Sequence, residues 1–143
     1  MTPLRARLAA LALTVFSAGA SWSATLELAK YAEAYNGPKT LTVERVATAD
    51  GTQALIKVQG INHPWNDKVV LTRLRPGAQG RTEYVAKVQG KDYVVMNESE
   101  QGGASLFLPG QADLWLSFDK PASKALSPQR LLSDYERADG AVK

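Results

Sequence analysis

The sequence predicts an α+β fold: a single domain, mainly an antiparallel β-sheet of about seven short strands, with short N-terminal and C-terminal helices after a cleaved signal peptide. Three observations support this prediction. The N-terminus has the composition of an export signal, and a series of short apolar segments separated by turn residues follows it. No long helical pattern joins those segments, and parallel strands would need crossover connections of about a dozen residues or more. Antiparallel order is therefore predicted.

The first 20 residues are predicted to be a secretory signal peptide. Arg5 and Arg7 precede an apolar run over 8–16, and small residues follow up to Ala20. We expect cleavage after Ala20, with alternatives up to residue 24, and a single β-rich domain over 25–140. The apolar run is shorter than the ~20 residues of a membrane span, so no stable membrane anchor is expected after cleavage. The expected location is periplasmic or secreted.

The chain contains no cysteine. An exported domain of this size must then be stabilised by packing, without the disulfides that are usual in small secreted folds. Of the 17 basic residues, Arg5 and Arg7 leave with the signal peptide, so that 15 remain with 14 acidic residues and the formal charge falls from +3 to +1. Such a nearly neutral domain has no field that attracts nucleic acid, and no nucleic-acid partner is expected.

A short N-terminal helix is predicted over residues 25–35. Leu28, Tyr31, Ala32 and Tyr35 recur at helical spacing, and the predicted stripe packs its two tyrosines on the core. The segment 36–38, Asn-Gly-Pro, is a strong helix stop.

Short apolar segments then predict the strands. Their ranges are 41–47, 54–61, 68–75, 82–88, 93–96, 105–108 and 114–118. Thr82, Tyr84, Ala86 and Val88 share one strand face. In the last strand, Trp115 lies on the face opposite the alternating apolar residues, where it either covers that face or meets a partner.

A short C-terminal helix is predicted after Ser127, which is placed to cap it, with Pro128 at its first position. Leu131, Leu132 and Tyr135 supply its apolar edge. The preceding residues, 119–125, are polar and predict a surface connector.

The loop after the second predicted strand departs most from what a turn requires. Residues 57–60, Lys-Val-Gln-Gly, recur at 87–90, but eight residues separate the first copy from its Val-Val pair and three separate the second. The extra residues of the longer loop include His63, the only histidine of the chain. The candidate binding residues are Asn62, His63, Pro64, Trp65, Asn66 and Asp67. Two interpretations remain open: Trp65 folds back and plugs the sheet, or it is presented as an anchor at a partner interface.

Catalytic chemistry is not indicated. The chain lacks cysteine and a G-x-S-x-G elbow, and one histidine alone is available as a base. The loop offers at most a weak, oxygen-dominated metal set, and the acidic segment 98–100 is expected to be a solvated loop. We expect no enzyme activity, no cofactor and no metal.

The leading functional hypothesis is an exported, non-catalytic protein-binding domain, as in a periplasmic inhibitor or immunity-type protein, which uses the loop 61–67 to bind another protein in the periplasm or outside the cell. The alternative is a small-ligand or envelope-component binding protein that uses a sheet face, with Tyr84 and Trp115 as contacts. A hydrolase is the least supported class.

Overall fold

Eight antiparallel strands form a closed barrel in the computed structural model, which describes residues 26–138. The predicted signal peptide and its cleavage site lie outside the described residues. The strands are β1 Glu33–Asn36, β2 Thr42–Ala47, β3 Gln53–Gln59, β4 Lys68–Pro76, β5 Thr82–Val88, β6 Lys91–Glu98, β7 Ala104–Leu106 and β8 Leu114–Asp119. Two helices follow, α1 Lys120–Ala125 and α2 Pro128–Ala138.

The prediction of an antiparallel β-rich fold is confirmed. The prediction of a sheet of about seven strands is wrong, because eight strands close into a barrel. The seven predicted segments correspond to β2 through β8, each within a few residues of its observed bounds. The eighth strand, β1, pairs with β2 on one side and with β8 on the other. Closing the barrel pairs the backbone N–H and C=O groups that the two edge strands of an open sheet would leave unpaired. The patterns of individual strands do not predict this closure.

The predicted N-terminal helix is also wrong, because residues 26–36 are not helical. Leu28 forms an isolated bridge with Thr48, and β1 begins at Glu33. Tyr35 is buried inside the barrel, whereas Tyr31 is 74% exposed, so the two tyrosines do not share a packed stripe. The intrinsic helix preference of this segment is worth a few tenths of a kcal/mol per residue, less than the two backbone ladders and the buried side chain that β1 gains.

The barrel interior is a continuous apolar core. Along the strands, inward-facing residues alternate with outward-facing ones, as in Val43, Ile56 and Val58, which are fully buried. One irregularity occurs between β5 and β6, where the register shifts at Tyr84/Val85. Such a bulge increases local twist and helps a small sheet to close.

The predicted C-terminal helix is confirmed as α2, which packs on the outside of the barrel. Leu131 and Leu132 are buried against Val46, Leu55 and Val69 of β2, β3 and β4. The segment expected to be an irregular connector instead contains α1, whose N-terminus is capped by Asp119 accepting from the Ala122 amide at 3.0 Å. Within residues 26–138, neither helix has the length and apolar composition needed to cross a bilayer.

Successive connections alternate between the two ends of the barrel, because each strand runs opposite to the one before it. The β3–β4 connection therefore lies at the same end as the β1–β2 and β7–β8 connections. Gly60 is in close contact there: its φ is +81°, and an added Cβ would lie 2.1 Å from the Thr40 carbonyl oxygen. Only glycine fits this approach, which brings the loop 61–67 over the barrel mouth.

Candidate functional site

One hydrogen bond closes the loop 61–67 on itself, and a second ties its last residue to β3. The Ile61 amide donates to Asn66 Oδ1 at 3.1 Å, and the Asp67 amide donates to the Val58 carbonyl at 2.7 Å. Asp67 adopts φ 64°, a left-handed conformation that Asp tolerates better than most residues. The loop is thus a fixed structure between β3 and β4.

Trp65 points from this loop into the barrel. Its side chain belongs to the interior core, with a residual exposure of 8%. The indole makes edge-to-face contacts with Tyr93, at a centroid distance of 6.1 Å, and with His63, at 6.0 Å. Tyr93 is fixed in turn by its hydroxyl, which donates to the Phe107 carbonyl at 2.6 Å. This geometry supports the interpretation of Trp65 as a plug.

His63 connects the loop to the β7–β8 connection. Its Nδ1 accepts from the Trp65 amide at 3.0 Å, which leaves the proton on Nε2 to donate to the Pro109 carbonyl at 2.9 Å. Both ring nitrogens are therefore engaged with the backbone. Among the candidate loop residues, Asn62, Pro64 and Asp67 are exposed to solvent.

Tyr84 lies inside the barrel, in an ionic cluster towards the opposite end. The cluster consists of Glu33, Arg45 and Glu98 with the hydroxyls of Tyr35 and Tyr84. Arg45 forms salt bridges with both carboxylates, including Nη1 to Glu98 Oε1 at 2.5 Å. The two tyrosines donate to Glu98 at 2.6 and 2.8 Å, and their rings lie 5.8 and 5.1 Å from the Arg45 guanidinium carbon.

Burial dominates the protonation of this ionic cluster. It raises the pKa of Glu33, an effect to which the charge of Glu98 adds. It also raises the pKa of Tyr35, whose hydrogen bond to Glu98 further favours the neutral phenol. Burial lowers the pKa of Arg45, while Glu98 opposes that change. The single guanidinium contacts both carboxylates, and both tyrosine hydroxyls donate to Glu98, so these hydrogen bonds join β1, β2, β5 and β6 inside the barrel.

Trp115 lies on the outer wall of the barrel and is 71% exposed. It stands directly opposite Ser105 on β7, which in turn stands opposite Asn97 on β6. Together with the β6–β7 turn and the end of the β4–β5 connection, these strands enclose a shallow cleft of about 200 Å³. We call it the Trp115 cleft; its lining residues are Arg81, Asn97, Ser99, Gln101, Gly103, Ala104, Ser105 and Trp115.

The structure does not bring all the predicted site residues together. The six loop residues lie at one barrel mouth, Tyr84 lies in the interior, and Trp115 lies outside. Tyr84 and Trp115 therefore do not share a surface. The polar residues around Trp115 were not singled out from the sequence, although the alternation of β6, β7 and β8 places Asn97, Ser105 and Trp115 on outward positions.

Across residues 26–138, no group of three or more His, Asp or Glu side chains is arranged to hold a metal ion. Comparisons with protein-family models, curated proteins and solved structures produced no match to this chain. Its own geometry is therefore the basis for the functional argument.

Proposed function

We propose that this protein is an exported, non-catalytic binding protein that recognises an envelope component through the Trp115 cleft. The observation that carries the proposal is a tryptophan that is 71% exposed on a hydrogen-bonded strand, beside a polar cleft. Burying an indole against a ligand removes a large apolar area from water, which stabilises the complex. In the folded chain alone, this area of Trp115 stays exposed to water.

The surroundings of Trp115 favour a polar ligand over a protein partner. Protein interfaces have an apolar centre, and stable ones bury about 800 Å² on each partner. Trp115 instead has hydroxyl, amide and guanidinium neighbours. Phe118, which is also exposed, faces the opposite side of β8 and contacts Tyr35, towards the end of the barrel away from the loop 61–67. The cleft thus resembles a small polar site more than a docking surface.

Export is part of the same proposal, because an envelope ligand is met outside the cytoplasm. It rests on the signal-peptide pattern of Arg5, Arg7 and the apolar run that follows. Intact-mass spectrometry of the protein purified from a bacterial periplasmic fraction is expected to show loss of 20 to 24 residues, roughly the usual signal length. Recovery of the unprocessed chain in the cytoplasm would contradict export.

Binding through the Trp115 cleft predicts a selective loss in the variant Trp115→Ala. We expect its co-sedimentation with isolated bacterial envelope fragments to weaken at least about tenfold, because central aromatic contacts carry much of a binding energy. The free energy of unfolding should change by no more than about 0.5 kcal/mol, since the side chain is on the surface.

A matched control is Tyr31→Ala, which removes another aromatic side chain that is 74% exposed and lies outside the cleft. It should leave co-sedimentation unchanged. Equal losses in the two variants would indicate nonspecific adhesion, and unchanged binding in Trp115→Ala would refute the site.

The loop 61–67 supports a second candidate, recognition of another protein. Its hydrogen bonds preorganise it, and a rigid loop loses little entropy on binding. With Trp65 packed inside, such recognition would depend on the exposed Asn62, Pro64 and Asp67. Capture of a periplasmic protein that is abolished by Asn62→Ala with Asp67→Ala, and unaffected by Trp115→Ala, would favour this candidate over the cleft.

A further inference from the structure

We infer that the ligand of the Trp115 cleft is a saccharide that carries a carboxylate. This inference rests on the proposed function and names the ligand class of the same site. The evidence is the combination of one stacking aromatic, several neutral hydrogen-bonding groups and one cation within about 200 Å³.

The first element is the exposed indole. The face of an aromatic ring is electronegative, and the axial C–H groups of a pyranose ring carry small positive charges, so a sugar ring stacks on it. Trp115 is presented from the centre of the β7–β8 ladder, where it is paired with Ser105. A backbone fixed in this way holds the side chain on one outer face before a ligand arrives.

The second element is the set of neutral polar side chains beside the indole. Asn97 and Gln101 each provide an amide donor and an acceptor, and Ser99 and Ser105 provide hydroxyls. Groups that both donate and accept match sugar hydroxyls, which do the same. The volume of the cleft is smaller than the roughly 300–1,000 Å³ of typical drug-like pockets, which suits one or two sugar rings beside the indole.

The third element is Arg81, the only charged residue that lines the cleft. Within residues 26–138 its guanidinium forms no salt bridge, whereas the outward-facing Arg73 and Arg75 are paired with Asp92 and Glu83. A guanidinium binds a carboxylate through two parallel hydrogen bonds, which selects an acidic sugar over a neutral one.

One nearby carboxylate opposes this preference and provides an independent test. Glu100 lies beside Gly80, where its Oε2 is 3.0 Å from the position of an added Cβ. Gly80 directly precedes Arg81 in the chain. Ser99 and Gln101, the chain neighbours of Glu100, both line the cleft. We therefore expect the charge of Glu100 to oppose a bound anion, and Glu100→Gln to strengthen binding of an acidic saccharide without affecting a neutral one.

The experiment compares uronic-acid oligosaccharides with their methyl esters, which keep the ring and remove the charge. The probes are trimers from three uronic-acid polymers of different linkage, and binding is measured by calorimetry on the full chain. We expect at least one acid to bind about tenfold more tightly than its ester, because a charged hydrogen-bonded pair contributes roughly that factor. Arg81→Gln should reduce the ratio to near one, while the control Arg73→Gln should leave it unchanged.

The outcomes separate this inference from the proposed function. If the esters bind as well as the acids and Trp115→Ala abolishes both, the carboxylate inference is wrong and the proposed site stands. If none of the trimers binds, the saccharide inference is wrong, and the envelope co-sedimentation of Trp115→Ala then decides the site itself. A preference for acids that survives in Arg81→Gln would likewise overturn the assignment of Arg81.

Discussion

Arg45→Met is expected to lower the free energy of unfolding by about 3 to 5 kcal/mol, as is typical when one partner of a buried ion pair is removed. The Arg45 side chain is 12% exposed and is the only cation of its cluster. Its loss leaves Glu98 without a cationic partner, with two tyrosine hydroxyls as its remaining hydrogen-bond donors. Urea unfolding followed by circular dichroism measures the change.

A double variant tests whether the uncompensated charge causes this loss. Glu98→Gln keeps an oxygen that can accept from the tyrosines and removes the negative charge. We expect Arg45→Met with Glu98→Gln to recover more than half of the stability lost in Arg45→Met alone, because buried ion pairs often contribute little net stability. Additive losses would show that Arg45 acts through packing on Tyr35 and Tyr84 instead.

Trp65→Ala is expected to destabilise the fold by about 3 to 5 kcal/mol, as other large aromatic truncations in cores do. The indole closes one end of the barrel, and its removal exposes the edges of Tyr93 and the surrounding core to a cavity. Thermal unfolding of the protein should show the loss as a fall in Tm.

Trp115→Ala is the matched control, because it removes the same side chain from an exposed position. If Trp65→Ala changed the free energy of unfolding by less than about 0.5 kcal/mol, Trp65 would behave like an ordinary surface residue. It would contradict the plug and restore Trp65 as a candidate anchor of the loop.

The sequence supports accurate prediction of the strands that carry local signals. Alternating apolar residues and turn pairs such as Pro-Gly mark β2 through β8, and Ser127-Pro128 marks the start of α2. The failure at β1 has a physical cause. Its conformation is set by β2 and β8, one of which is far away in sequence, and its local preference points to a helix.

The candidate site, too, could be predicted from the sequence only in part. The surplus length of the loop 61–67 is visible in the sequence, because a hairpin needs fewer residues. The role of the loop could not be predicted from the sequence, because the barrel end that Trp65 fills forms only when all eight strands close. Likewise, the prediction of a solvated loop over 98–100 is wrong for Glu98, which ends β6 and pairs with Arg45 inside the barrel.

The seam between β1 and β8 has a consequence for the order of folding. It joins residues 81 to 85 positions apart, from Asn36 with Ser117 to Ala34 with Asp119. Closing a loop of that length is roughly 2 kcal/mol less favourable than closing one of ten residues, whereas every other ladder joins neighbours along the chain. We therefore expect the seam to form last and to open first, so that amide protons of β1 exchange with deuterium before those of β3. For a short time in each folding event, β1 and β8 are then unpaired edges, on which a second unfolded chain can add its own strand.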